Sequence, residues 1–301
     1  MFHVRQPSKA WRTEISAYLP DAADARRRSH STRWTCSRRL VLPPSWMHIT
    51  FSGKSSIVTG AAHGFGRAIS LAFAQRGASV WACDVVEDEL LETERLCIAA
   101  GGACVARVVD VTDKRAVDAF VAEVSGQSGR VDILVNNAGG VLGQVGRPLE
   151  DVSQSDWQRI FDVNVTGAFL FSQAVAPGMK AARSGRIVNI SSGAGLGVSL
   201  TGIQAYASAK AAQIGLTRQL AHELGPWGIT VNNIAPGFVR SNAATERQWQ
   251  SYGADGQREL VDRIALKRLG APEDIAHGVL FFASEFAGWI TGQVISIDGG
   301  K

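Results

Sequence analysis

Residues 56–66 read Ser-Ile-Val-Thr-Gly-Ala-Ala-His-Gly-Phe-Gly, and this stretch decides the fold. Its first four residues, Ser56–Thr59, are β-branched or small, which predicts a short strand. Apolar residues recur at helical spacing over Gly64–Arg76, so we expect a helix after the turn. A strand, a glycine-rich turn and a helix in this order form the start of a βαβ unit.

The glycines of this turn, Gly60, Gly64 and Gly66, have the spacing Gly-x-x-x-Gly-x-Gly. Glycine permits a tight turn and lets backbone N–H groups approach a phosphate closely. The N-terminus of the helix adds a partial positive charge. Because the turn follows a strand and opens a helix, we predict that it binds a dinucleotide, with His63 and Phe65 taking part, and is not an ordinary glycine-rich turn.

The same alternation of strands and helices continues to the end of the chain. Helical patterns cover 87–100, 113–125, 155–181, 205–224 and 273–285. Further strands are predicted at Ser79–Cys83, Cys104–Val109, Ile133–Val135, Arg186–Ile190, Thr230–Ile234 and Val294–Ile297. Strands that alternate with helices indicate right-handed crossovers and a parallel sheet. We therefore predict one doubly wound, Rossmann-type α/β domain with a seven-stranded parallel sheet.

The first 46 residues differ in composition from the rest. They hold nine Arg or Lys and three Asp or Glu, whereas the remainder holds 22 and 24. We predict a disordered extension at 1–46 and a folded domain at 47–301, with Met47 as a natural start and a cytoplasmic location. The alternative is an organelle transit peptide, because such leaders are rich in Arg and Ser and poor in acids.

The composition of the folded part argues against several classes of function. Its net charge is slightly negative, which gives no electrostatic reason to expect nucleic acid as a partner. No apolar run reaches the length of a membrane span, so no membrane partner is expected. The six His are scattered, and Cys36, Cys83, Cys97 and Cys104 lack metal-ligand spacing, so we predict no metal site and free thiols.

Asp84 ends the second predicted strand, 24 residues after Gly60. A carboxylate at this point accepts hydrogen bonds from the adenosine ribose hydroxyls and repels a 2′-phosphate. The sequence places no Arg at Ala62 or His63, and none directly after Asp84. We therefore predict NAD as the cofactor in preference to NADP; the alternative is a solvated carboxylate at a strand end.

Two further turns follow predicted strands. Asp110-Val111 ends the third strand, and Asn137-Ala138-Gly139 ends the fourth. Open parallel sheets bind ligands at the carboxyl ends of their strands, so these residues are predicted to contact the cofactor. Alternatively, these residues only form the turns themselves, since Asn, Asp and Gly are common turn residues.

Tyr206 and Lys210 lie four residues apart in a predicted helix. Residues at this spacing share a helix face. An ammonium beside a phenol favours the charged phenolate and so lowers the phenol pKa. We expect Tyr206 to act as a general acid/base. The pair is a weak signal alone and gains weight from the predicted dinucleotide site.

Over Phe51–Gly300 the chain resembles the short-chain dehydrogenase/reductase family. The resemblance rests on several motifs that occur together in the family's order. They are Thr59-Gly60-x-x-x-Gly64-x-Gly66, Asn136-Asn137-Ala138-Gly139, Ile190-Ser191-Ser192, Tyr206-x-x-x-Lys210, Asn233-x-x-Pro236-Gly237 and Asp298-Gly299-Gly300. The resemblance implies an oxidoreductase that transfers hydride between a nicotinamide cofactor and a CH–OH group.

The resemblance also implies a catalytic tetrad of Asn164, Ser192, Tyr206 and Lys210. In it Tyr206 exchanges the proton, Lys210 holds the nicotinamide ribose, and Ser192, rather than Ser191, steadies the substrate oxygen. Asn164 would interrupt or bend its helix and hold a water that relays protons. The resemblance further implies that Pro236, Gly237 and Val239 wrap the nicotinamide end.

Substrate choice is expected to depend on three variable segments, Val141–Leu149, Gly193–Ala205 and Ser241–Leu266, the last as a mobile lid. Without a cluster of Arg or Lys, a neutral small alcohol, polyol or sugar is expected. One alternative is a 3-oxoacyl-acyl-carrier-protein reductase, against whose usual NADPH preference Asp84 argues. A remote alternative is a non-catalytic dinucleotide sensor, which would not need Tyr206 with Lys210.

The resemblance implies a homotetramer in which helices from 155–181 and 205–224 pack across one interface. The second of these helices is rich in small residues, namely Ala207, Ala209, Ala211, Ala212 and Gly215. These residues would allow close packing between subunits, or could serve packing within one subunit.

Overall fold

The computed structural model describes residues 48–199 and 201–301. The predictions made for residues 1–46, for Cys36 and for Met47 lie outside these residues, as does Leu200 in the Gly193–Ala205 segment.

Seven strands form one parallel sheet, as the sequence predicts. They are β1 (Ser55–Thr59), β2 (Ser79–Asp84), β3 (Ala103–Val108), β4 (Ile133–Asn136), β5 (Gly185–Ile190), β6 (Ile229–Pro236) and β7 (Val294–Ile297). Their order across the sheet is β3-β2-β1-β4-β5-β6-β7. The chain builds outward from β1 to β3 and then returns to place β4 on the other side of β1. The order therefore reverses between β1 and β4, and open α/β sheets bind ligands at such a reversal.

Nine α-helices occur in the described residues. They are α1 (Gly64–Ala74), α2 (Glu87–Ala99), α3 (Lys114–Ser128), α4 (Gln154–Phe161), α5 (Gly167–Ala182), α6 (Gln204–Leu224), α7 (Ala243–Ser251), α8 (Gly253–Arg263) and α9 (Pro272–Ala283).

Helices cover both faces of the sheet, which explains why β1 and β4 are buried along their whole length. In β1, Val58 faces one core with Phe73 of α1 and Val279 of α9. The neighbouring Ile57 faces the other core with Phe171 of α5. Because successive side chains of a strand point to opposite faces, a strand buried on both sides has no polar alternation.

The predicted helix over 155–181 is interrupted. Helix α4 ends at Phe161, a π-helical segment covers Asp162–Thr166, and α5 begins at Gly167. Such segments insert an extra residue into a helical turn and often occur at functional sites. Asn164 lies inside this segment, in agreement with the predicted interruption.

The segment predicted as a polar lid, Ser241–Leu266, contains two helices that the apolar pattern does not predict. In α7 the Asn242 side chain accepts hydrogen bonds from the Ala244 and Thr245 amides, and the Thr245 hydroxyl accepts one from the Asn242 amide. This reciprocal capping box fixes the start of the helix. Neither α7 nor α8 has a fully buried residue, so the periodicity that identifies core helices is absent from both.

Within the described residues, every helix is too short or too polar to span a bilayer.

Candidate active site

The glycine turn between β1 and α1 lies at the point where the strand order reverses. Gly60 has φ +64°, and a Cβ there would lie 2.7 Å from the Cα of Ala138. A Cβ on Gly66 would collide with the carbonyl oxygen of Gly60. Only glycine lets the turn pass this close to the β4 loop and to its own helix.

The carbonyl groups of this turn are held from behind by other elements. Thr93 of α2 donates its hydroxyl to the Ala61 oxygen at 2.8 Å, and Arg67 donates to the Ala62 oxygen. The Asn137 side-chain amide donates to the Gly60 oxygen at 2.9 Å. The turn is thereby fixed with its carbonyl oxygens already bonded.

The first turn of α1 keeps its N–H groups available. His63 occupies the N-cap position without a side-chain capping bond, and the first turn carries no acidic residue. Uncapped N–H groups and the positive end of a helix form a binding site for an anion. This donor set fits the phosphates of a dinucleotide, with Gly64, Phe65 and Gly66 supplying the amides.

The Asp84 carboxylate is fixed beside the same turn. Its Oδ2 accepts a hydrogen bond from the Ala62 amide at 3.0 Å. Its Oδ1 accepts from the amides of Val85 at 2.7 Å and Val86 at 3.2 Å. Since two carboxylate oxygens can accept about four hydrogen bonds, capacity remains for a ligand hydroxyl.

The Asp110 side chain hydrogen-bonds within its own turn. The Asp110 Oδ1 accepts hydrogen bonds from the Thr112 amide at 2.9 Å and from its hydroxyl at 2.8 Å. Val111 is buried against Gly167, where a Cβ would lie 2.7 Å from the Val111 side chain. The predicted contacts of both residues with a cofactor stay a prediction.

At the end of β4, the side chain of Asn137 hydrogen-bonds backbone groups of the glycine turn. Besides the Gly60 oxygen, the side chain donates to the Thr59 backbone oxygen at 3.0 Å. The backbone amide of Asn137 donates to the Thr59 hydroxyl. These bonds join the β4 loop to the glycine turn. Ala138 is partly exposed and Gly139 exposed, so their backbone is what this loop presents to a ligand.

Gly139 marks the place where the site residues converge. Its φ is +159°, and a Cβ would lie 3.0 Å from the Lys210 Nζ and would collide with the Asn164 Oδ1. A side chain here would displace either residue. Glycine at this position therefore brings β4, the π-helical segment and α6 together.

Asn164 is fully buried, and both ends of its amide hold backbone groups. Its Oδ1 accepts from the Gly140 amide at 3.0 Å, and its Nδ2 donates to the Gly140 oxygen at 3.0 Å. The Nδ2 also donates to the Ile160 oxygen at 2.9 Å, one turn back. Asn164 thus clamps the β4 loop to the helix interruption.

Lys210 is almost completely buried, and its Nζ donates to the Ile190 oxygen at 2.8 Å and to the Gln213 Oε1 at 3.3 Å. The ammonium lies 5.6 Å from the ring centroid of Tyr206, so the two side chains share one face of α6 as predicted. Burial disfavours the charged form and lowers the pKa of Lys210 to about 7.

The pKa of Tyr206 moves in the direction opposite to the predicted one. Burial raises it above its ordinary value, and a hydrogen bond with Ser192 only partly opposes this. The prediction of a Tyr206 pKa below its ordinary value is therefore wrong, because burial outweighs the effect of the neighbouring ammonium. The spacing predicted that the two residues are close, but it did not predict that burial disfavours the charged form of each of them.

The structure also separates the two serines after β5. Ser191 is buried and donates to Asn233 and to the Ile234 oxygen, so it belongs to the core. Ser192 lies beside Tyr206 and acts on its pKa in opposition to burial, and its hydroxyl accepts a hydrogen bond from the Ala194 amide at 3.2 Å. The catalytic part predicted for Ser192 stays a prediction.

The residues predicted to contact the nicotinamide lie at and after the carboxyl end of β6. Pro236 ends the strand, and the Gly237 amide donates to the Ile297 oxygen at 3.0 Å. Val239 is buried and pairs with Gly270. Their approach to a nicotinamide stays a prediction.

Four residues that the sequence did not single out support the site. Arg67 and Thr93 hold the glycine turn, and Gln213 contacts Lys210. Ser241 lies over the glycine turn, since a Cβ on Gly64 would lie 2.9 Å from the Ser241 oxygen. Only Gln213 had a usable signal, because it lies three residues after Lys210 and so shares its helix face.

A family model described as enoyl-(acyl carrier protein) reductase matches residues 60–301. It therefore covers the glycine turn, the tyrosine–lysine pair and helices α7 and α8.

Two curated relatives match across nearly their whole length. The BbsD subunit of (2S)-[(R)-hydroxy(phenyl)methyl]succinyl-CoA dehydrogenase from Thauera aromatica is 40% identical over 246 residues, which are 82% of this chain and 95% of the relative. The 3-oxoacyl-[acyl-carrier-protein] reductase FabG from Thermotoga maritima is 38% identical over 248 residues, 82% of this chain and 97% of the relative.

Solved structures with this fold include one with NADH and one with NADP. A 7α-hydroxysteroid dehydrogenase in complex with NADH and 7-oxo glycochenodeoxycholic acid has a TM-score of 0.78 and 35% identity, covering 84% of this chain and 95% of that one. A candidate NAD(P)-dependent gluconate 5-dehydrogenase from Beutenbergia cavernae, with bound NADP, has a TM-score of 0.77 and 35% identity, covering 83% and 97%.

Proposed function

Because the chain belongs to the short-chain dehydrogenase/reductase family and is thus an oxidoreductase of CH–OH groups, we propose that it interconverts a neutral secondary alcohol and its ketone with NAD. The substrate class is a small alcohol, polyol or sugar. The observation that carries the proposal is that Asn164 and Lys210 converge at Gly139, with Tyr206 on the same helix face as Lys210 and Ser192 beside its phenol.

In the oxidation direction, Tyr206 takes the proton of the substrate hydroxyl, and in reduction it returns that proton to the carbonyl oxygen. Ser192 donates a hydrogen bond to the substrate oxygen and stabilises the charge that develops there. The bound dinucleotide supplies the hydride acceptor or donor. Burial raises the pKa of Tyr206, so the phenolate that accepts the proton forms at alkaline pH. Oxidation should therefore be faster at alkaline than at neutral pH.

Lys210 supplies the positive charge that makes the phenolate accessible, and it would bind the nicotinamide ribose. Its buried Nζ donates to the Ile190 oxygen and lies near Gly139 and the ring of Tyr206. Asn164 keeps the β4 loop in place through Gly140 and would hold the water of the proton relay.

The cofactor contacts follow the elements around the glycine turn. Amides of the first turn of α1 would bind the pyrophosphate, and the Asp84 carboxylate would accept bonds from the ribose hydroxyls. The backbone of Ala138 and Gly139 would lie against the cofactor, with Asp110 and Val111 toward the adenine. Pro236, Gly237 and Val239 would close over the nicotinamide.

The proposed preference for NAD depends on the charge of Asp84. Asp84→Asn retains one acceptor oxygen, which can serve the Val85 and Val86 amides but not the Ala62 amide as well, and it removes the charge that repels a 2′-phosphate. We expect the ratio of kcat/KM with NAD to that with NADP to fall roughly tenfold or more. This ratio is measured with both cofactors on a panel of neutral alcohols, polyols, sugars and 3-oxoacyl thioesters.

Glu87→Gln removes a carboxylate at the start of α2 and serves as the matched charge control. An Asp84→Asn variant with the wild-type ratio, or a wild type that prefers NADP, would contradict the assignment of NAD. Turnover confined to the 3-oxoacyl thioesters would favour the reductase alternative, and none with any substrate would favour a sensor.

The reductase alternative is supported by the likeness to the Thermotoga maritima enzyme. The charges of the lid favour a neutral substrate instead. Arg240 pairs with Glu246 at 2.7 Å, and Arg258 and Arg263 each pair with a carboxylate of their own helix. Each of these three cations has a carboxylate partner, which argues against the basic patch that an acidic carrier protein would require.

We propose that residues 1–46 form an extension outside the domain of residues 47–301, and that the protein is cytoplasmic unless this extension is a transit peptide. Mass spectrometry of the native N-terminus tests this. A mature chain beginning between residues 20 and 40 would support targeting instead.

A homotetramer is the proposed assembly. On α6, Ala211 and Gly215 are exposed, whereas Ala209 is buried within the subunit, so part of the small-residue face is open to a second copy. Phe169 on α5 and Trp289 near β7 are 42% and 100% exposed. Light scattering should give a mass close to four chains, and a monomer would contradict the proposal.

A further inference from the structure

A buried glutamine contacts the lysine of the proposed site and lacks a structural explanation of its own. Gln213 is fully buried, one turn after Lys210 on α6. Its Oε1 accepts a hydrogen bond from the Lys210 Nζ at 3.3 Å. Its Nε2, which could donate two hydrogen bonds, has no partner among the described residues.

Burying an amide with one end unpaired is unfavourable. An apolar side chain of the same length would fill this space without that cost. The neighbouring Thr217 is different, because its hydroxyl accepts from Asn189 at 2.9 Å and donates to the Gln213 backbone oxygen at 2.9 Å. The contact with Lys210 is therefore the one favourable polar interaction of the Gln213 side chain among the described residues.

We propose that Gln213 is a positioning residue for Lys210, whose ammonium it holds in the charged form between β5 and Tyr206. This inference rests on the proposed function of Tyr206 and Lys210 and adds a residue to it. Gln213 does not touch the reacting atoms and acts through Lys210.

The surroundings of Lys210 explain why a second acceptor matters. Ile190 of β5 supplies a carbonyl oxygen, the β4 loop supplies Gly139, and the π-helical segment supplies the neutral amide of Asn164. On α6 itself, Tyr206 is the titratable group that faces the ammonium. With no carboxylate among these groups, the two oxygen acceptors are what favour the charged form against burial.

The replacement that tests this is Gln213→Met, which keeps the length of the side chain and removes the acceptor. Lys210 should then lose its proton more readily, and Tyr206 should lose its positive neighbour at neutral pH. In the oxidation direction the rate at neutral pH should fall roughly 10- to 100-fold, the strength of a hydrogen bond to a charged group. The rate should recover at alkaline pH, where the phenolate forms without help.

Two further measurements do not depend on turnover. The ultraviolet absorbance of tyrosinate should appear at higher pH in Gln213→Met than in the wild type. The thermal midpoint should be unchanged or higher, because an unpaired buried amide is removed. A residue with only a structural role would lower the midpoint and leave both pH curves in place.

Thr217→Val is the matched control, since it removes a buried polar group one turn away that does not contact Lys210. It should lower the midpoint without moving either pH curve. Gln213→Leu serves as a second variant. Wild-type pH curves in Gln213→Met or Gln213→Leu would overturn the proposal, and so would failure of both to fold, because the amide would then be required for stability.

Tyr206→Phe, measured in parallel, separates this inference from the function on which it rests. If Tyr206→Phe is inactive and the Gln213 variants behave as wild type, only the role of Gln213 is lost. If Tyr206→Phe keeps wild-type turnover, the proposed function itself is wrong.

Discussion

At the scale of single residues, the site depends on groups that are buried at a cost. Lys210 is the clearest example, because burial moves its pKa from the ordinary value of 10.5 to about 7. Sequence spacing predicted which residues meet, including Tyr206 with Lys210. It did not predict the sign of the Tyr206 pKa shift, since that depends on burial and on the side of the ring that the ammonium faces.

The lowered pKa of Lys210 predicts that the stability of the fold depends on pH. Below pH 7 Lys210 is charged in both the folded and the unfolded chain, so the full penalty of burying the charge is present. Between about pH 7 and pH 10 the unfolded chain binds more protons than the folded one, and stability rises with pH through this range. Lys210→Met removes the effect, so the thermal midpoint of the wild type relative to this variant should rise from pH 7 to pH 10.

Lys180→Met is the control for this comparison, since Lys180 is partly exposed on α5. Its midpoint relative to wild type should show no such trend. A difference between wild type and Lys210→Met that stays constant over the same range would show that the lysine is not held in the way described.

At the scale of elements, regular patterns were predictable and interruptions were less so. All seven strands and the helices that pack on the sheet followed from apolar periodicity, because burial on a sheet requires it. Helices α7 and α8 bury no residue completely and left no such pattern. The resemblance implied a break at Asn164, but its π-helical form was not predicted, nor was the hydrogen bond of Asn164 with Gly140, 24 residues earlier in the chain.

Asn164→Ala should release the β4 loop while leaving the sheet intact. The variant loses both hydrogen bonds to Gly140 and the one to Ile160. Backbone amide exchange over residues 139–145 should become faster, and turnover should fall roughly 10- to 100-fold because the residues around Gly139 are no longer held in place. Hydrogen–deuterium exchange read by mass spectrometry measures the first effect.

Gln158→Ala on the exposed side of α4 removes one hydrogen bond, to Asp162, and is the control for the helix itself. Exchange over 139–145 that is the same in Asn164→Ala and in the wild type would contradict the role given to Asn164 as a clamp.

At the scale of the whole molecule, the sheet order explains why distant motifs form one site. The reversal between β1 and β4 places the glycine turn beside the β4 loop, and β5 and α6 then bring Ser192, Tyr206 and Lys210 to the same edge. The order of motifs along the sequence predicted this assembly. The supporting contacts of Arg67 and Thr93 could not be predicted, because each joins elements whose packing the sequence does not state.

The central claim is that Tyr206 exchanges the substrate proton in an NAD-dependent reaction, and the turnover of Tyr206→Phe tests it most directly. With a substrate found by the panel, the variant should lose roughly 100- to 10,000-fold in kcat, the usual contribution of a general acid/base. Its NADH affinity and thermal midpoint should stay close to those of the wild type. A Tyr206→Phe enzyme that turns over at the wild-type rate would contradict the account.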